Sequence, residues 1–589
     1  MKRKVIVFSV FILLSLLIAG GAGYLIYRFY FMPNSTVVEA FEEGKLNLVI
    51  EGEVVKTGQP KIVDEDILLP LNVIKQYFDP NIYWDDVLKK VTVTTRDRVI
   101  RMKTDSLNAL VNNKPITLKI PVTQDNGVIY VPIQFLSDFY GIDISYIKGN
   151  NVIVIDYKNS LRQLAEPISP KAVIRTGKTI HFPIIKKFDL NSEKTEENTM
   201  RIFEEYDKWY KVRTSDGEIG YIEKQYVVVK RMMVKREPEE ESKNSTWKPE
   251  KGKINLVWEM MYSKRPELAK IGKMDGLDVV SPTWFQIANE GGTLINRADA
   301  TYVDWAHKNG YKVWALMSND FGNTSMTTKF LNNTDARDNV IKQMLAFAAL
   351  YKLDGINIDF ENVNKEDKNV LTQFIREITP FFKEQGLVVS MDVTVPDGSD
   401  NWSLCYDRKA LGQIVDYIML MTYDQYWATS PKAGSVAQIT WVESNLNKVL
   451  EMVPREKLLL GLPFYTRLWK EEPDKDGKIK VSNPKVLSME DAKKLVKENN
   501  APVTWDEKSG QFYAEYKKDN ATYKVWLEDE NSINLKSALA QKYKLAGTAA
   551  WRRSDEAQAV WGVLNKNLKV LENYQDWAAE NKEKKYAFN

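Results

Sequence analysis

The sequence predicts an α/β protein whose C-terminal half closes into a (β/α)8 barrel, preceded by an apolar helix and two smaller units. Three observations predict it. Strand-like apolar runs alternate with helix-period segments through residues 253–570. A break near residue 250, almost wholly polar, separates that stretch from what precedes it. The chain also opens on an apolar run longer than a core helix needs.

The 589 residues are enough for several domains, and 44% apolar residues are enough for several cores. The 82 basic and 79 acidic residues nearly cancel, leaving a net charge of +3. That balance argues against nucleic acid as a partner, because such binders carry an excess of basic charge on one face. Cys405 is the single cysteine, so no intramolecular disulfide forms. Two histidines exclude a His-rich metal site. No metal and no cofactor is expected.

Residues 1–34 read as a membrane anchor. Lys2, Arg3 and Lys4 precede an apolar run from Val5 to Tyr27, and Arg28 follows. A bilayer span needs about 20 such residues, whereas the apolar region of a cleaved signal is shorter. The run resumes at Tyr24-Leu25-Ile26-Tyr27 after the small residues Ala19 to Gly23, which favours an uncleaved helix in a lipid bilayer. Basic residues before the span predict a cytoplasmic N-terminus and an extracytoplasmic remainder, at a bacterial surface or in a spore envelope.

Residues 38–160 contain an internal repeat. Leu69-Pro70-Leu71 leads to a short helix ending near Phe78, then to Ile82-Tyr83-Trp84 and the strand Val91-Thr92-Val93. The order recurs in Val131-Pro132-Ile133, Phe135, Phe139, Gly141, Ile144-Ser145-Tyr146 and Val152-Ile153-Val154. Each unit reads as strand, short helix, hairpin. The pattern resembles the copper-amine-oxidase-N-like stalk domain, here a spacer without copper ligands. Residues 166–230 read as all-β, with the alternating run Trp209 to Arg213, the turn Ser215-Asp216-Gly217 and a new strand at Gly220-Tyr221-Ile222. This unit resembles a bacterial SH3 domain. Residues 231–252, including Arg236 to Lys243, read as a linker.

In the barrel, strands are expected to start at Ile254, Asp278, Tyr311, Asp354, Leu387, Asp416, Leu458 and Ala546. Extra strands around Val503, Gln511 and Tyr523 mark a small α+β insertion over about 478–530. The stretch 571–589 reads as a polar tail, a solvated helical end.

The fourth strand carries the chemistry. Side chains alternate along a strand, so Ile356, Ile358 and Phe360 share one face and Asn357, Asp359 and Glu361 the other. The apolar set faces the outer helices and the polar set faces inward. Buried carboxylates cost several kcal/mol unless they share protons or hydrogen bonds. The C-terminal end of a barrel strand is where such barrels place their chemistry. Neighbouring carboxylates raise one another's pKa, which keeps one protonated near neutral pH as a general acid.

At this point a family resemblance becomes specific. Asp354, Asn357, Asp359 and Glu361 resemble the Asp-x-x-Asp-x-Asp-x-Glu signature of glycoside hydrolase family 18, with Asn357 replacing an aspartate. Met421-Thr422-Tyr423-Asp424 resembles the family's sixth-strand motif, Gly461 to Arg467 its seventh-strand segment and Ala549-Ala550-Trp551 its eighth. Ser281 to Phe285 suits the second. The resemblance implies a TIM barrel and a retaining mechanism assisted by the substrate's own acetamido group. It implies Glu361 as acid and base, Asp359 as support for the acetamido group, and Tyr423 as a third catalytic residue. It also implies Asn357, Asp354, Met421, Asp424, Trp551, Trp284, Tyr465 and Arg467 as substrate-binding, with Trp551 under the sugar.

A wall-facing anchor, a stalk and an SH3-like unit ahead of such a barrel point to an N-acetylglucosaminidase acting on peptidoglycan or spore cortex. The alternatives are a chitinase, with Trp427 and Trp469 as platforms, and a non-catalytic glycan-binding scaffold, for which Asn357 is the best support.

Overall fold

The computed structural model describes residues 2–160, 162–190, 198–232, 246–261, 265–584 and 586–588. The charged run Arg236 to Lys243 of the expected linker lies outside the described residues. The chain forms two compact units: Met1–Ile82, Met102–Ala109 and Ile116–Glu241 in one, and Tyr83–Arg101, Leu110–Pro115 and Ser242–Asn589 in the other.

The first unit begins with the helix Lys2–Tyr30. Its span Phe8–Arg28 has a mean hydropathy of 2.2 and is long and apolar enough to cross a membrane. The repeat then appears as paired strands and helices. Strand Asp66–Pro70 runs into helix Leu71–Tyr77, and Val128–Pro132 into Ile133–Tyr140. The two strands pair antiparallel, Leu69 opposite Val131. Each helix starts directly after a proline, whose φ is set for that turn, and the second ends on Gly141 at φ 61°. Further along, seven strands between Arg162 and Met232 form one sheet over a core of Ala165, Ile174, Met200, Val212 and Ile222.

The second unit holds the barrel. Its strands are β1 (Ile254–Glu259), β2 (Val279–Ile287), β3 (Lys312–Ser318), β4 (Gly355–Asp359), β5 (Val388–Thr394), β6 (Tyr417–Met421), β7 (Leu458–Pro463) and β8 (Gly547–Trp551). Each starts at or one residue after its expected position. Every strand pairs parallel with the next, and β8 pairs with β1, so no edge remains. Alternation divides the apolar residues into two cores. Leu256, Trp258, Trp314, Leu316, Tyr417, Met419 and Leu459 fill the interior. Val257, Ala315, Ile356, Ile358, Val389, Ile418 and Leu460 pack outward against the helices. Gly547 is required where β8 meets β1, because a Cβ there would lie 1.9 Å from the Ile254 carbonyl oxygen.

The N-terminal end of the barrel is clipped by three acids that each precede an even-numbered strand. Asp278 accepts the Asn255 N–H (2.8 Å), Asp354 the Val313 N–H (2.9 Å) and Asp416 the Val389 N–H (3.0 Å). Each also pairs with a lysine: Lys569, Lys312 and Lys383 respectively. This corrects the expected binding role of Asp354. Seven residues before Glu361 on one strand, it sits at the opposite end of β4, where its carboxylate also meets His307 at 2.7 Å. Asp354→Ala is expected to cost about 1–3 kcal/mol of stability, because a backbone donor loses its acceptor and a lysine its partner. Thermal unfolding measures this. Lost turnover at unchanged stability would return Asp354 to the site.

Two further expectations change. The insertion begins earlier than residue 478. Its antiparallel sheet takes in Tyr465–Pro473, directly after β7, together with Ile479–Ser488, Ala521–Leu527, Gln511–Lys518 and Val503–Asp506. Only Phe464 separates it from β7, so the two read as one strand. The tail is not a solvated end. The Trp577 indole donates to Asn534 (2.9 Å), Tyr586 stacks on Trp505 at 3.8 Å, and Phe588 packs on Phe512. The aromatics Tyr574, Trp577, Tyr586 and Phe588 among the charges give it a face to bury.

Candidate active site

The last laddered residue of β4 is Asp359, so Glu361 lies just beyond the sheet. Side chains hold its backbone instead. Asn319, which follows β3, accepts the Glu361 N–H (3.0 Å) and donates to the Glu361 carbonyl (2.9 Å). The Tyr406 hydroxyl, from the loop after β5, donates to the Phe360 carbonyl (2.7 Å). Both clamps are buried. They extend the strand's alternation past its last ladder bond and keep Glu361 on the inward face at the rim.

Below Glu361 the polar set is packed tightly. Asn357 is fully buried, Asp359 is 7% exposed and Asp392, on β5, is 2% exposed. The Trp258 indole N–H, which can only donate, meets Asn357 Oδ1 at 2.8 Å, and the Ser281 hydroxyl meets the same oxygen at 3.2 Å. The amide is thereby oriented, and its Nδ2 donates to Asp392 Oδ1 at 2.8 Å. Asp359 Oδ1 is buried without a hydrogen-bond partner among the described residues.

Burial pushes all three carboxyls well above the usual carboxylate range. For Asp359 the charge of Asp392 adds to burial. For Glu361 the charges of Asp359 and Asp424 add to it. Asp392 is also raised by burial and by Glu361, against the lowering effect of the Asn357 hydrogen bond. Three carboxyls in one low-dielectric site titrate as a group and carry fewer charges than three separate carboxylates would.

Aromatic and polar groups cover the mouth. Tyr423 is edge-on to Trp258 (6.4 Å) and to Tyr465 (6.4 Å), and Trp551 is tilted on Trp258 (6.1 Å). Asp424, at φ 56°, accepts from the Tyr465 hydroxyl (2.5 Å) and Arg467 (2.7 Å). Met421 shares the inward face of β6 with Tyr417 and Met419. The structure thus gathers Asn357, Asp359, Glu361, Met421, Tyr423, Asp424, Tyr465, Arg467 and Trp551.

Trp284 is not among them. It is wholly buried in the outer core, edge-on to Tyr302. Its neighbours Ser281 and Thr283 point inward, so alternation turns Trp284 toward the helices. Trp469 is also fully buried, with its indole on the Gly434 carbonyl (2.8 Å), and offers no platform, whereas Trp427 is 52% exposed. Asp392, Trp258, Asn319 and Tyr406 join the site without having been expected there. Asp392 carries the signal that marked β4, an acid at an inward position of an apolar strand, in Val388-Val389-Ser390-Met391-Asp392.

Residues 282–556 match the model of "Glycosyl hydrolases family 18", and residues 49–155 that of "Copper amine oxidase N-terminal domain". The chain is 29% identical over 292 residues to the uncharacterized glycosylase YvbX of Bacillus subtilis (strain 168), covering 48% of this chain and 82% of that protein. It is 25% identical over 245 residues to the cortical fragment-lytic enzyme of the same organism, covering 41% of this chain and 56% of the relative, so it spans little more than half that relative's length. The crystal structure of the spore cortex-lytic enzyme SleL of Bacillus megaterium QM B1551 aligns with a TM-score of 0.49 at 22% identity, over 55% of this chain and 76% of that one. The barrel has the fold of glycosyl hydrolase family 18, matched over residues 282–556, and the chain is a glycosidase.

Proposed function

We propose that the chain hydrolyses an N-acetylglucosamine-containing glycan of the peptidoglycan or spore-cortex class, with retention of configuration. The observation that carries this reading is the buried pair Asp359 and Glu361 at the C-terminal end of β4, whose carboxyls burial pushes well above the usual carboxylate range. Glu361 gives its proton to the glycosidic oxygen as the acetamido oxygen of the same sugar attacks the anomeric carbon. The leaving sugar departs as an alcohol, and Asp359 supports the charged acetamido nitrogen of the ring intermediate. Water then attacks the anomeric carbon, the bond from that carbon to the acetamido oxygen breaks to restore the acetamide, and the attacking water gives a proton back to Glu361. Tyr423, Asp424, Tyr465 and Arg467 hold the sugar at the mouth, with Trp551 beneath it.

The apolar helix Lys2–Tyr30 supports anchorage in a bilayer, with the barrel outside the cytoplasm. The sheet spanning Arg162–Met232 is read as an SH3-like wall-contacting unit. Relatives named as acting on spore cortex support the substrate class.

Digestion of purified peptidoglycan, borohydride reduction and mass spectrometry test the reading, with chitin oligomers assayed in parallel. New reducing ends are expected on N-acetylglucosamine, with faster cleavage of wall glycan. New ends on muramic acid, or no cleavage, would sink it; preferential cleavage of chitin oligomers would shift the substrate to chitin.

A further inference from the structure

The carboxylate missing at position 357 is not missing from the site. Asn357 and Asp392 are bonded to each other at 2.8 Å inside the barrel, on adjacent strands. Ile358 pairs with Met391, so the next residues on the two strands are Asp359 and Asp392. An amide cannot share a proton with Asp359, and the Trp258 N–H fixes it with its donor toward β5. The neighbouring negative charge therefore sits on β5.

We infer that Asp392 is a positioning residue for the reaction, holding the charge that keeps the Asp359 carboxyl protonated in the free enzyme, with Asn357 as the bridge that orients it. This rests on the reading of Asp359 and Glu361 given above. Asp392 is 2% exposed, level with Asp359 on the neighbouring strand, and its Oδ1 is taken up by the Asn357 amide. It acts through charge alone. A negative charge at Asp392 disfavours ionisation of Asp359, and the Asn357 N–H favours leaving that charge on Asp392. The proton then resides on the Asp359–Glu361 pair, at the rim, where the substrate arrives.

Few other groups compete for this role. From β1 and β2 the facing groups are Trp258 and Ser281, and after β3 Asn319; none of them titrates. Tyr406 and Tyr423 face the carboxyls from the loop after β5 and from the end of β6, and both are pushed well above their ordinary value by burial. Asp424 faces Glu361 from beyond β6, tied to Tyr465 and Arg467.

The test exchanges the two residues. In D392N the alkaline limb of the kcat/KM profile is expected to move down by about one unit or more, because the proton on the Asp359–Glu361 pair loses the like charge that retains it. Its kcat at the wild-type optimum falls about tenfold or more. N357D adds a carboxyl to the cluster and moves the same limb up. The double variant N357D/D392N returns one carboxylate beside Asp359 from the other strand, and both limb and kcat recover toward wild type. A D392N profile with an unmoved limb overturns the inference, as does a double variant no more active than D392N. Thermal unfolding of each variant separates lost folding from lost charge, and should D392N fail to fold, the upward shift in N357D decides alone. A wild type that releases no N-acetylglucosamine ends fails the proposed function instead, so the two failures are distinguishable.

Discussion

Glu361→Gln is expected to lose about 10²–10⁴-fold in kcat while the folded state becomes more stable at neutral pH. The two effects have one origin. Burial and the charges of Asp359 and Asp424 hold the Glu361 pKa well above the ordinary 4.5. A group raised on folding stabilises the protein fully only below its unfolded pKa. That contribution is lost as pH rises through the folded value. At neutral pH the wild type therefore retains a strained acid that the neutral amide relieves. Gln keeps the shape and the backbone clamps of Asn319 and Tyr406 but has no proton to give. Turnover on wall glycan and thermal unfolding across pH measure both sides. Equal activity in wild type and variant would remove Glu361 from the acid role. A lower melting temperature above pH 5 would show that its carboxylate is stabilised, not strained.

Glu377→Leu is expected to cost about 3–5 kcal/mol of stability. Glu377 is buried on the helix Lys368–Glu384 and pairs with Arg337 (2.7 Å) and Arg101 (3.0 Å), which are themselves buried. Arg101 also meets Asp338 (2.6 Å) and the Thr92 hydroxyl (2.6 Å). Nearby, Asp85 accepts from the N–H (3.1 Å) and hydroxyl (2.6 Å) of Thr334. The segment Tyr83–Arg101 thus belongs to the barrel's own compact unit, although its sequence belongs to the stalk repeat. Removing Glu377 leaves two guanidiniums buried together with less than their compensating charge. The pH dependence has the opposite sign to that of Glu361. Despite burial, the two arginines hold Glu377 down at about 2, below the ordinary 4.5. Its contribution is complete above about pH 4.5 and is lost as pH falls toward 2. The wild-type advantage over the variant in denaturant melts should therefore shrink through that window. A constant gap would assign the loss to packing alone.

These two sites show which physics is legible in a linear chain. Alternation on β4 separates Ile356, Ile358 and Phe360 from Asn357, Asp359 and Glu361 before any strand is placed. The eight strand starts follow from apolar runs of the same kind. The motif at Asp354 reads as part of the site because it is close in sequence. It fails because a strand has two ends, and only the later one reaches the rim. Trp284 fails for the related reason that one step along a strand reverses the face. Both errors come from reading a motif where the period alone decides.

What the sequence determined by itself is periodic and local: the barrel, the apolar span Phe8–Arg28, the strand–helix–hairpin repeat and the inward acids of β4. Which distant groups share one buried space is set by the folded barrel. Asp392 beside Asn357, the Asn319 clamp on Glu361, the Tyr406 clamp on Phe360, and Arg101 against Glu377 join positions separated by tens to hundreds of residues. Charges and hydrogen bonds act over ångströms in space, and in a closed barrel the adjacency of strands and the stagger between them set those ångströms.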